Sequence, residues 1–150
     1  MTLLQNDKKN ISLELAFESI DSCFGYVDYI ISRIHKLLGF YNAGELNLAN
    51  EAFIEIVDLM DLYIQLISKV YGVIRIELQG QSFKDESIQK LEIHLLSVIK
   101  ALLSAKEKED VIMLCDLLEY ELVDNLTQWK IKALPELRKL KKVFLSLPLK

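Results

Sequence analysis

The sequence predicts an all-α chain, an antiparallel four-helix bundle with a short C-terminal amphipathic helix. Three observations carry this. The 150 residues are 51% hydrophobic, yet hold only 5 Gly and 2 Pro, so few breakers interrupt long elements. Apolar residues recur at alternating steps of four and three, the helical period. Long periodic segments follow one another through short polar turns, which favours antiparallel neighbours.

The first helix is expected from Ser12 to Leu38. Its stripe is Leu13, Phe17, Ile20, Phe24, Val27, Ile31, Ile34 and Leu38. A second row of Ala16, Cys23, Ile30 and Leu37 widens it. A stripe this wide suits a bundle core better than a two-stranded seam. Gly39 should stop the helix, with Phe40 to Gly44 as the turn. Asn42 to Glu45 has the N-x-x-E form of a capping box and should open the second helix. That helix should end before Gly80. Its stripe is Ala49, Phe53, Ile56, Met60, Tyr63, Ile67, Val70 and Ile74, flanked by Ala52, Leu59, Leu66 and Val73.

The third helix should start after Lys84, capped by Ser82 or Asp85. Ile88, Leu91, Leu95, Val98 and Leu102 make its face, and Ser104 to Glu109 form a charged turn. The fourth should run from Asp110 to Ala133, with Val111, Cys115, Leu118, Leu122, Leu126 and Trp129 inward and Leu114 alongside. Pro135 should end or kink it, since proline has no N–H to give and its ring crowds the preceding turn. Beyond lies a basic amphipathic tail over residues 135–150, with five Lys/Arg against one Glu. The whole chain carries −4, so the first 134 residues carry −8.

The length fits one domain, with residues 1–11 as a flexible N-terminus. An acidic balance argues against nucleic acid as partner. No signal-peptide pattern opens the chain, and the apolar stretch from Leu62 to Ile74 is too short to span a bilayer. A cytoplasmic location is expected. Cys23 and Cys115 sit on apolar faces at no metal-ligand spacing, and read as buried free thiols. His35 and His94 follow Ser32 and Leu91 by three, so the Glu-x-x-His pairs of a di-iron bundle are missing. No phosphate loop, G-x-S-x-G or H-E-x-x-H occurs. The acidic residues Glu51, Glu55, Asp58, Asp61, Asp116, Glu119, Glu121 and Asp124 read as a solvated face. Tyr29 and Tyr120 are expected outside, Tyr63 and Tyr71 in the core or at its edge. The expectation is a protein without enzymatic activity or cofactor.

Two segments resemble the flagellin-export chaperone family, FliS. Asn50-Glu51-Ala52-Phe53-Ile54-Glu55-Ile56-Val57-Asp58-Leu59-Met60-Asp61 is similar to the family's N-E-x-L-I-x-x-A-x-x-I-I-x-E helix. Leu102-Leu103-Ser104-Ala105, then Asp110, Leu117, Leu118 and Trp129, resemble its R-L-x-x-A-N-x-x-N-D … L-L … W pattern, with the interval from Asp110 to Trp129 about one residue longer. Where the family opens T-A-x-P-x-x-L-x-x-x-L-Y, this chain reads N-I-S-L-E-L-A-F from Asn10 to Phe17. The chain therefore looks most like the co-chaperones that share that fold and bind FliS. The resemblance implies a helical binding protein whose partners are a FliS-type chaperone and flagellin-family export substrates. From helical phase, the candidate partner-binding residues are Leu137, Leu140, Val143 and Phe144 on the tail, and Leu59, Leu66 and Val73 on the second helix. The same rows offer an alternative role, a homo-oligomeric structural or adaptor subunit such as a homodimer.

Overall fold

The computed structural model describes the backbone of residues 3–77 and 86–146 and the side chains of 12–77 and 86–143. The Gly80 to Lys84 connection and the Ser82 and Asp85 caps lie outside the described residues. Within them the chain is helical, with no strand. Four helices follow in order: α1 (Leu3–Asn42), α2 (Leu46–Glu77), α3 (Glu86–Glu107) and α4, residues 111–146. No helix among the described residues is long and apolar enough to cross a membrane.

α1 starts nine residues before the expected Ser12 and runs through Gly39. Gly39 takes no special backbone angle. The stop comes at Gly44, at φ 73. There the Glu45 N–H reaches the Phe40 carbonyl (3.0 Å) and the Gly44 N–H that of Tyr41 (3.1 Å), a Schellman turn. Asn42 is thus the last residue of α1, and the expected capping box does not form. α3 ends in the same way, with Asp110 N–H to Ala105 (3.0 Å) and Glu109 N–H to Lys106 (3.1 Å). Here the left-handed position holds Glu109, at φ 56, where a side chain is strained. Asp110 then caps α4, its Oδ1 accepting from the Met113 N–H at 3.0 Å.

All eight stripe residues of α2 are buried. In α1 the core centres on the second row: Ala16, Cys23, Ile30 and Leu37 are buried, while Leu13, Phe24, Ile31 and Leu38 pack at its edge. In α4 Leu114 is buried, whereas Val111 is exposed and Cys115 only half-buried.

Pro135 does not break α4. The helix passes through it to Ser146, interrupted by two π-helical turns at Leu117–Leu122 and Trp129–Ala133. Both coincide with repeated four-residue steps among buried residues: Leu114, Leu118, Leu122, Leu126 and then Trp129, Ala133, Leu137. In a regular helix two such steps rotate the stripe by about 80°. A π turn takes an extra residue per turn and holds the stripe on the core. The second π turn sends the Leu134 N–H five residues back, to the Trp129 carbonyl, which widens the helix just ahead of the proline ring.

Side-chain contacts fix the neighbours. Arg33 meets Glu55, joining α1 to α2. Ser68 meets Glu92 and Lys106 donates to Asn50, joining α2 to α3. Lys130 meets Asp28 and Arg138 meets Asp21, joining α4 to α1. Across the centre Tyr63 and Trp129 stack edge to face, ring centroids 5.8 Å apart.

Candidate functional site

An apolar groove runs along the outer seam of α1 and α2. A cavity of about 260 Å³ opens in it, lined by Tyr26, Ile30, Leu59, Leu62, Tyr63 and Leu66. The 4-3 rhythm that buries Ile56, Met60 and Tyr63 leaves Leu59 and Leu66 on the shoulder facing α1, half-buried, with Val73 farther along. Leu62 lies outside the rhythm altogether and is 62% exposed. Tyr26 is 51% exposed on the facing helix. Exposed large apolar residues at a seam lose free energy to water until something covers them.

The groove's polar end is set by Glu55. It accepts from Arg33 Nη2 at 2.7 Å and from the Tyr29 hydroxyl at 3.3 Å. Its floor is Tyr63, whose buried hydroxyl has no hydrogen-bond partner among the described residues. Burial first, and the neighbouring Cys23 second, push that phenol well above its ordinary range. Burial also raises the Cys23 thiol to about 12, so it stays protonated and inert at neutral pH. Cys115 is shifted the same way, by burial first and then by Asp116 and Glu119. Neither thiol lies in a nucleophile's environment. Among the described residues no three His, Cys, Asp or Glu side chains gather as a metal site.

The expected partner-binding residues divide. Leu59 and Leu66 line the cavity at the α1/α2 seam, and Val73 is partly buried against the core. Leu137 does not serve as a docking residue: it is fully buried, because α4 continues past Pro135 and lays its second run of four-residue steps against the core. Leu140 packs at the core's edge, and Val143 is exposed. The Phe144 side chain lies outside the described residues. The tail, through Val143, is therefore part of α4. Arg138 fastens it, its Nε 2.9 Å from Asp21 Oδ1 and its guanidinium 4.0 Å from the centroid of Phe24. Tyr26 and Leu62 escaped the sequence reading. Their signal was an apolar residue at an outward phase, which a search for the core stripe discards.

The opposite seam, between α3 and α4, is polar. Asn125 is buried there and donates through Nδ2 to the Leu91 carbonyl (3.1 Å) and to His94 Nδ1 (2.8 Å). The Leu91 carbonyl fixes which way the amide points, so His94 Nδ1 accepts and its Nε2–H faces Glu121 Oε2 at 3.2 Å. Both ring nitrogens are thereby occupied, and the histidine joins two helices.

Lys106 donates to Asn50 and sits over the Phe53 ring, beside the Ala105-to-Asp110 turn. Over residues 18–132 the chain matches the model of a family described as Domain of unknown function (DUF8042). The chain belongs to that family. No curated protein and no solved structure matches it.

Proposed function

We propose that this chain is a non-enzymatic helical binding protein that covers an amphipathic helix of a partner protein in its α1/α2 groove. The observation that carries the proposal is the run of apolar side chains, Leu59, Leu62 and Leu66 against Tyr26, left open at a seam between two long helices. Helix-in-groove recognition needs such a channel, with anchors spaced at three and four. The reversed order of the inter-helix contacts, Asp21 with Arg138 and Asp28 with Lys130, supports an antiparallel bundle as the scaffold.

Within this reading the protein is a cytoplasmic co-chaperone that acts beside a FliS-type chaperone on flagellin-family export substrates. Support comes from the resemblance over Asn50–Asp61 and Leu102–Trp129. Calorimetric titration of the full chain against a purified FliS-type chaperone, alone and loaded with a flagellin C-terminal segment, tests it. Micromolar binding that Leu62→Asp weakens at least tenfold is the expected result. Absence of heat with both preparations refutes the flagellar assignment. A second copy is the other occupant the groove admits, since Leu59, Leu66 and Val73 form a self-complementary row. Sedimentation at high micromolar concentration separates the two: a monomer excludes the homodimer.

A further inference from the structure

The α3/α4 seam holds a cleft of about 600 Å³, larger than the groove cavity and different in chemistry. Its walls carry Lys90 from α3 and Lys132 and Lys139 from α4, against Glu136 as the one carboxylate of the lining. Counting its Lys and Glu side chains, the lining has a net charge of +2 in a chain of net −4. None of these three lysines has an ion-pair partner among the described residues. The contrast with their neighbours is direct. Lys130 and Arg138, on the other flank of α4, are held by Asp28 and Asp21 of α1. Lys132 and Lys139 are seven residues apart, two turns along one flank, and line the cleft with Glu136 between them and no ion pair to either among the described residues.

The π turn at Trp129–Ala133 and Pro135 lie in the α4 wall of the cleft, and Leu91 and Ile131 supply apolar surface. Ser87 and Gln128 contribute hydrogen-bonding side chains. His94, with both nitrogens engaged, forms a fixed wall. A volume of this size is that of small-molecule sites, which are commonly about 300–1,000 Å³. Lysines on both walls repel one another until an anion lies between them, and ammonium groups bind phosphate and carboxylate as point charges.

We propose that the α3/α4 cleft binds a small organic polyanion, a phosphate ester or a polycarboxylate, with its charges between Lys90, Lys132 and Lys139. The site is independent of the groove on the opposite face. The test is titration of the full chain with pyrophosphate and with citrate at constant ionic strength, followed by backbone amide shifts. Saturable shifts confined to residues 87–94 and 128–139 are expected, with Lys132→Ala and Lys139→Ala each weakening affinity at least fivefold. Lys100→Ala, on the outer face of α3, should leave it unchanged. The tighter of the two probes assigns phosphate or carboxylate. No saturation by either anion at millimolar concentration overturns the proposal. So does binding that all three lysine variants weaken equally, or binding of an oligoglutamate peptide alone.

Discussion

The two outer seams of this molecule come from two kinds of helix. α1 and α2 keep strict 4-3 spacing over many turns, and their seam is an elongated apolar groove. α4 takes three successive steps of four and later two, each run containing a π turn, and its seam with α3 holds a lysine-lined cleft. Regular phase leaves an apolar cavity at the seam. Broken phase yields a local hollow. The difference lies in the spacing of the apolar residues, since both seams rest on the same core.

The sharpest way to break this comparison is at Leu137. If α4 is one helix through Pro135, Leu137→Ala opens a cavity in the core and costs about 2–5 kcal/mol. Val143→Ala, two turns on at an exposed position, should cost less than about 0.5 kcal/mol. Chemical denaturation of both variants checks this, and equal effects would separate the tail from the core.

The buried core beside Tyr63 yields the next test. Cys23 titrates near 9 when unfolded and at about 12 in the fold. Between these values the unfolded chain binds fewer protons than the native one, so unfolding becomes easier as pH rises. Stability should be flat below pH 9 and then fall with a slope of about 1.4 kcal/mol per pH unit from this group. Cys23→Ala should remove that slope, whatever constant cost its smaller side chain adds. Thermal melts from pH 7 to 11 measure both.

Tyr63 and Glu109 probe smaller terms. The Tyr63 hydroxyl is buried without a partner among the described residues, and such a group costs about 1–3 kcal/mol. Tyr63→Phe should therefore raise the melting temperature. Glu109→Gly should stabilise by about 1 kcal/mol, because glycine takes the left-handed angle of the α3–α4 turn without strain. The turn joins the two helices of the cleft, so this change should leave the α1/α2 groove unaffected.

Much of this was legible in the sequence, and the failures have physical causes. The α2 stripe was readable because burial follows period directly. The α1 core is offset by half a stripe, since two adjacent rows of similar hydropathy compete and tertiary packing chooses between them. Gly39 looked like a stop because glycine permits one. It does not require one, and the turn formed at Gly44 instead. Pro135 looked like a terminus because a proline inside a regular helix lacks its N–H and crowds the preceding turn, whereas here a π turn stands just ahead of it. That error also placed Leu137 among docking residues. The groove was half visible, in Leu59 and Leu66. Lys90 and Lys132 of the cleft were not visible, because their meaning lies in which neighbouring lysines find carboxylates on α1.

Hydrogen exchange of the full chain, free and bound to a FliS-type chaperone loaded with a flagellin C-terminal segment, tests the central claim most directly. The account predicts added protection along the α1/α2 seam, in residues 15–33 of α1 and 55–73 of α2, with the α3/α4 seam unchanged. Protection confined to α3 and α4, or none on either face, would contradict it.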